Sequence, residues 1–425
     1  MRAFRAARVS KRFPEVKSLF NLSKPMPRRN GILIGLLVAV AVINYIDRGS
    51  LSVAAPLISS EMRLDPERMG VLLSAFFWSY AAMQFLAGWL ADRFSVIWVL
   101  AAGLVIWSTA TLGTGFTGGL TALLVCRVVL GAGESVAFPC YSKVIAGNFP
   151  SERRGVPNSL IEAATKLGPA LGTLLGGILL ARQGWRVLFL VLGAGSLLWL
   201  GPWFAWAPRT PTPKREERDS PGVWQIATSR DAWGTFIGNA CYTYAYYFLL
   251  TWLPSYLVQA RHLSMQAMGI WGSIPYFAAA VAAIVCGWLS DAWIARGASP
   301  TRVRKTFVAS GFLLSTVMAG APVASDLHTS MLLLCVAYIA FGILASNHWA
   351  ITQTLAGAGA AGTWTGMQNT IGNISGIVAP IVTGVIVKVT GSYYWAFVSP
   401  AILAVVGACS YTFLVREVAP IKWRK

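Results

Sequence analysis

The sequence predicts an all-α polytopic membrane protein: twelve spanning helices in two six-helix halves. Three observations predict it. The chain is 56% hydrophobic and only 12% charged, about half the charged fraction of a soluble protein. Apolar runs long enough to cross a bilayer, roughly 20 residues each, recur twelve times along it. One short pattern occurs twice, as Gly88-Trp-Leu-Ala-Asp92-Arg93 and as Gly287-Trp-Leu-Ser-Asp291-Ala, each at the end of such a run.

In the first half the runs fall at 31–57, 68–90, 95–116, 119–147, 154–181 and 185–206. The first holds Asp47 and Arg48 side by side, and charges at bilayer depth cost several kcal/mol or so unless they face a partner or a polar cavity. The second ends on the Asp92 pattern. The third is apolar throughout, the fourth carries Arg127 and Glu134, and the fifth carries Glu162 and Lys166. That fifth run also has Gly168, Gly172 and Gly176 at four-residue spacing, with Pro169 beside the first. Such spacing lets helix backbones approach closely. The sixth run ends before Pro208.

The second half has runs at 232–257, 265–291, 305–324, 328–355, 361–388 and 393–415. The seventh is the most polar, with Tyr242, Tyr244 and Tyr246 alternating by two, so that on a helix they cannot all face one cavity. The eighth ends on the Asp291 pattern. The tenth contains Ser346-Asn-His-Trp349, and the eleventh contains Gln368, Asn369 and Asn373 with Gly372 and Gly376. These boundaries divide the chain into a basic arm (1–30), a first half (31–206), a polar linker (207–231), a second half (232–415) and a tail (416–425). Proline at four positions keeps residues 208–221 from being helical, and their charge keeps them out of lipid.

The net charge of +19 is a topology signal, and nucleic acid is not expected as a partner. With both termini on one side, that side carries 25 Lys and Arg, against six on the other (Arg63, Arg68, Arg182, Arg186, Arg261 and Lys388). The bias places both termini in the cytoplasm. The arm resembles a transit peptide in composition but has no early apolar run; it reads as a basic segment lying on anionic lipid, or as the product of an over-called start codon. All six cysteines lie within apolar runs without ligand-like spacing, so they read as small packing residues. No hydrolytic triad, metal cluster, phosphate loop or nucleotide fingerprint is present in the sequence. An enzyme, a cofactor and a metal are therefore not expected.

Two parallel six-helix halves related by an axis along the membrane normal are the architecture of major facilitator transporters, with the substrate site between halves near the midplane. The chain resembles that superfamily over essentially its whole length after residue 30. Gly88–Arg93 resembles its loop 2–3 signature, although Ser95 and Val96 replace the usual glycine and basic residue. Three narrower stretches, Asn44-Tyr-Ile-Asp-Arg48, Gly131-Ala-Gly-Glu-Ser-Val-Ala-Phe-Pro139 and Asn148-Phe-Pro-Ser-Glu-Arg-Arg154, together resemble the anion:cation symporter family. That family includes bacterial sugar-acid importers and vesicular or lysosomal organic-anion carriers.

The resemblance and the chemistry converge on one constellation. Moving an organic anion needs a fixed cation, and coupling it to protons needs a carboxylate that titrates in a half-dry cavity. Asp47 and Glu134 are the expected proton carriers, with Arg127 on the helix face of Glu134 two turns away. The competing reading is of buried ion pairs that hold helices together. Arg48 is expected to take the substrate carboxylate bidentately, unless it snorkels to the interface. Tyr45, Tyr80, Ser346, Trp349 and Asn369 are expected to line the cavity; the alternatives are packing for the aromatics and interhelical hydrogen bonding for the amide. His348 reads as a packed histidine. Lys166 is either a second anion-binding cation or a silent partner of Glu162 one turn away. Lysine there departs from the uncharged polar residue frequent in the family, which brings diacids among the expected substrates. Asp92, Arg93 and Asp291 are expected to gate the cytoplasmic loops, against the plainer reading of helix ends turning into water.

The expectation is a proton-coupled importer of a small sugar acid (hexonate, hexuronate or aldarate) in a bacterial inner membrane, acting as a monomer. Its rivals are an importer of aromatic or other simple carboxylates, an organic-anion antiporter, and a non-transporting sensor.

Overall fold

A computed structural model describes residues 28–149, 155–207 and 222–421. Most of the basic arm, the greater part of the linker and the last four residues lie outside them, as does the Asp92 side chain. Every element of regular structure among the described residues is helical.

Helices α1 (Arg28–Met62), α2 (Pro66–Arg93) and α3 (Val96–Thr114) follow one another through short turns. Asp65 starts α2 by accepting the Arg68 backbone N–H at 2.8 Å, with Pro66 in the first turn, where its missing N–H costs nothing. Helix α4 runs over Leu120–Asn148 in two pieces, Leu120–Glu134 and Ala137–Asn148. Pro139 explains the break: it cannot donate to the carbonyl of Ser135, and its ring crowds that turn. Glu134 therefore ends a helical segment in mid-bundle.

The helix Gly155–Leu197 reverses at Gly184, whose φ of 76° suits glycine alone among common residues, giving α5 before it and α6 after it. The fold of α6 continues through Leu200–Trp206. Likewise Leu327–Thr390 reverses at Gly357 (φ 62°) into α10 (Leu327–Gly357) and α11 (Ala360–Thr390). Between them stand α7 (Arg230–Ser255), α8 (Met265–Ala295) and α9 (Pro300–Val323), and α12 (Tyr394–Leu414) closes the chain.

Among the described residues nine helical segments are long and apolar enough to cross a membrane, one of them (Val156–Trp206) containing both α5 and α6. The less apolar α7 is an interior helix, most of it buried, and with α2 it lines the junction between halves. Polar side chains are affordable there because protein, not lipid, surrounds them.

The glycine ladder of α5 packs α5 onto α1, with Gly168 against Tyr45 and Gly172 against Ile46. The two halves touch chiefly at the end away from the termini. There α5 meets α8 at Gly177 and Gly269, so closely that a Cβ on Gly177 would lie 2.5 Å from the Gly269 Cα. Gly70 of α2 is equally close to the Pro380 carbonyl of α11. Lys388 of α11 completes the seal, with its ammonium 2.6 Å from Glu67 and 3.1 Å from Asp65. At the other end the same helices part: Gly88 of α2 and Gly362 and Gly366 of α11 face open space. The junction is a wedge, open toward the end that bears the termini.

Candidate functional site

The apex of the wedge is built from α1, α2 and α4. Arg48 projects from α1 toward Glu134 and places both Nε (3.1 Å) and Nη2 (3.0 Å) on one oxygen, Oε2. Both side chains are almost wholly buried. The Arg48 guanidinium also lies over three aromatic rings, Tyr45 at 4.6 Å, Phe76 at 4.8 Å and Tyr80 at 4.7 Å. Ring faces attract a cation, the more so when it is desolvated, so the cage holds Arg48 in place whichever anion it grips.

Glu134 Oε1 and the Asn44 amide nitrogen neighbour one another without closing a hydrogen bond. Asn44 Oδ1 instead accepts from Arg48 Nη2 at 3.4 Å. Arg127, two turns before Glu134, donates to the Arg48 backbone carbonyl at 3.2 Å and lies over the Phe76 ring at 5.4 Å. The expected face-sharing of Arg127 and Glu134 holds, but it is Arg48 that binds the carboxylate directly. The alternative that Arg48 snorkels to an interface does not describe this side chain.

Asp47 points the other way, into the first half. Its Oδ2 accepts from Ser196 of α6 at 3.1 Å, and Oδ1 sits beside the Trp107 indole without bonding it. Neighbours in sequence, Asp47 and Arg48 thus bond to different helices around α1.

Lys166 of α5 donates to Glu162 Oε1 and to Thr165 Oγ1, each at 3.0 Å. Its ammonium also lies 5.4 Å from the Tyr246 ring, which belongs to the second half. Tyr242 and Tyr246, one turn apart, stack at 6.2 Å, and Tyr247 continues the aromatic wall to Phe77 of α2 at 4.4 Å. Tyr247 is the member that sequence reading missed; as the residue after Tyr246 on a helix already read as polar and aromatic, it was within reach.

The second-half residues separate. Asn369 is exposed on α11, facing the wedge side of its helix, and Trp349 is half-buried. Ser346 donates to the Ala283 carbonyl of α8 at 3.0 Å, so its hydroxyl ties α10 to α8. Gln368 is also spent on structure: its Oε1 accepts from Thr352 and its backbone carbonyl from Asn239. Tyr247 reaches Asn373 at 3.5 Å. His348 is buried against Tyr242, packed as expected.

Of the loop residues, Arg93 is exposed, and Asp291 lies 3.9 Å from Arg304 at the head of α9. The expected role of Asp92 rests on a side chain outside the described residues. Lys143 donates to the Ala91 carbonyl at the end of α2, bracing that loop from α4.

The profile of the Major Facilitator Superfamily matches residues 37–380. The chain belongs to this superfamily. It is a transporter rather than an enzyme, and its fold is the major facilitator fold. The probable sulfoacetate transporter SauU of Cupriavidus necator is 33% identical over 90% of this chain and 93% of its own length. The D-galactonate transporter of Escherichia coli is 30% identical over 94% and 98%. The probable galactarate/D-glucarate transporter GudP of Escherichia coli is 31% identical over 92% and 94%. Among solved structures, a bacterial homologue of the human lysosomal transporter Spinster superposes with a TM-score of 0.78 at 18% identity, covering 92% of this chain and 98% of that one. These relatives accord with the family resemblance carried by the Asn44–Arg48, Gly131–Pro139 and Asn148–Arg154 stretches.

Proposed function

We propose that this transporter imports a small organic anion, a sugar acid of the hexonate, hexuronate or aldarate class, by proton symport across a bacterial inner membrane. The observation that carries the reading is the buried Arg48–Glu134 pair. One guanidinium edge cannot hold both the Glu134 carboxylate and a substrate carboxylate. Protonating Glu134 weakens its hold on Arg48 and frees the fork for substrate; binding of substrate in turn favours the protonated acid, because linkage is reciprocal. Competition for one cation is the coupling.

In the proposed cycle both termini are cytoplasmic, so the conformation described faces inward. Asp47 and Glu134 take protons from outside, Arg48 binds the carboxylate within its aromatic cage, the halves rock, and substrate and protons leave inside. Asp92, Arg93 and Asp291 would brace the cytoplasmic loops in the outward-facing state. Tyr45 and Tyr80 hold Arg48 and line the apex; Trp349 and Asn369 complete the cavity from the second half, and the protein works as a monomer. The relatives named for sugar acids and sulfoacetate support the substrate class. A second reading, an aromatic carboxylate, is favoured by the Tyr242–Tyr246–Tyr247 wall; competition of benzoate against uronates separates the two.

The test is uptake of a labelled sugar-acid panel into proteoliposomes under an imposed pH gradient, comparing wild type with Glu134→Gln. One acid should accumulate against its gradient in the wild type. The variant should lose about tenfold or more of that accumulation while still exchanging substrate across the membrane. Uptake indifferent to the gradient in both proteins would remove the proton from the mechanism and leave antiport.

A further inference from the structure

We infer that the site is built for a dianion, one acidic group held by Arg48 and the other by Lys166, carried with two protons. The inference rests on the proton-coupled reading above and narrows its substrate class.

The first ground is charge. In the middle of the bundle, among the described residues, the charged side chains are Arg48, Arg127 and Lys166 against Asp47, Glu134 and Glu162. With His348 neutral they cancel. The second half contributes tyrosines, amides and Trp349 at this level but no charged side chain; its acids and bases lie toward the ends, as Asp231 with Arg416 and Asp291 with Arg304. Lys143 lies at the end of α2, on the Ala91 carbonyl. Asp47 Oδ1 and Glu134 Oε1 each lack a hydrogen-bond partner among the described residues, so each can take a proton without breaking a bond already made. With both loaded the interior carries two uncompensated positive charges. A dianion cancels them; a monoanion leaves one charge unpaired in a closing, water-poor interior, where unpaired charge is most costly.

The second ground is the place of Lys166. Its side chain is 14% exposed, whereas that of its partner Glu162 is 52% exposed. A half-exposed i,i+4 pair is weak, so Lys166 can turn part of its ammonium to a substrate anion while Glu162 stays beside it and in the charge count. Lys166 also faces the Tyr246 ring across the junction of the halves, where a ligand must pass. Arg48 and Lys166 flank one side chain: Tyr45, whose ring lies under Arg48 and whose Cβ packs on Gly168 two residues beyond Lys166, within electrostatic reach of both cations. Two cations on either side of one tyrosine offer one charge to each end of a diacid. The names of the relatives span both charge classes, galactonate being a monoanion and glucarate and sulfoacetate dianions, so they do not choose. Lys166 does.

The test uses the full chain in proteoliposomes, with glucarate, sulfoacetate and gluconate as probes at one pH gradient and with the voltage set by potassium and valinomycin. Wild type should prefer both dianions to gluconate by about tenfold or more, and dianion uptake should not change with voltage, since two protons and two negative charges sum to zero. Lys166→Gln should lower the ratio of dianion to gluconate uptake about tenfold or more, and Lys166→Arg should keep the dianion preference. Equal handling of all three acids by wild type and Lys166→Gln would overturn the inference and leave proton-coupled uptake standing. Transport of none of these or other organic acids would instead overturn the broader function. If Lys166→Gln carries nothing at all, the wild-type preference and its voltage response decide, and a gluconate preference or voltage-driven dianion uptake counts against the dianion.

Discussion

Arg48 touches five side chains at once: Glu134 through a pair of hydrogen bonds, Asn44, and the rings of Tyr45, Phe76 and Tyr80. Lysine cannot reproduce this, because a point charge makes neither the two-nitrogen fork nor the planar stack. Arg48→Lys should therefore weaken sugar-acid binding by roughly tenfold or more at low pH, measured by calorimetry on detergent-solubilised protein. Unchanged affinity would remove Arg48 from the substrate. Competition between Glu134 and substrate also sets the sign of the pH dependence. Raising the pH ionises Glu134, strengthens its hold on Arg48 and lowers substrate affinity. In Glu134→Gln the competitor is neutral at every pH, so affinity should stay level across the range in which that of the wild type falls.

At the scale of the helix, close approach and helix breaks position these side chains. The Pro139 break ends the first piece of α4 at Glu134, and the α5 ladder presses α1 inward so that Tyr45 rests on Gly168. Ser346 acts at this scale through its hydroxyl, which donates to the Ala283 carbonyl and ties α10 to α8. Removing its hydrogen bond to Ala283 should cost about 0.6 kcal/mol, a typical interhelical value, and Ser346→Ala should transport within about threefold of wild type. A loss of an order of magnitude in substrate affinity would return Ser346 to the cavity. Gly177→Leu should act oppositely, with little effect on any ligand group but a side chain driven into Gly269. Closure at the far end would then be obstructed, and a cysteine placed among the apex residues should become labelled from the outside faster than in the unsubstituted background.

In the proposed cycle the whole molecule alternates only if the far end can part, and what holds it is small. Lys388 binds Asp65 and Glu67 across the halves, at an end where all three side chains are well exposed. Such pairs are weak singly and screened by salt, which suits a latch that must open in each cycle. The Arg68 backbone N–H, and after it the Lys388 ammonium, hold the Asp65 carboxyl below its ordinary range. The Arg68 cap lies within α2 and persists when the halves part, so only the Lys388 share of the depression stabilises the closed end; that share is lost as the pH falls through the carboxyl's folded value, and acid on that side loosens the latch. Lys388→Met should raise the outward-open population roughly two- to fivefold, read by external thiol labelling, with a smaller effect at high salt. No change in labelling would place closure entirely in the α5–α8 and α2–α11 contacts.

Much of this was legible before any fold was known. Twelve apolar runs at bilayer length, the paired Asp92 and Asp291 patterns and the asymmetry of basic residues led to a polytopic two-half transporter, because hydropathy and repeat spacing are local properties of the chain. Spacing also placed Arg127 and Glu134 on one face and Tyr242 away from Tyr244, since helical periodicity needs no tertiary information. The partner of each charge was decided elsewhere. Asp47 and Arg48 are adjacent, yet one bonds Ser196 and the other Glu134, on two different helices and more than eighty residues away in sequence. The latch of Lys388 on Asp65 and Glu67 was invisible for the same reason, its partners lying more than three hundred residues apart in sequence. Spanning segments and their face periodicity were thus the work of the sequence by itself. Which buried cation meets which anion depended on how the helices pack and rotate against one another, and only the tertiary structure decided it.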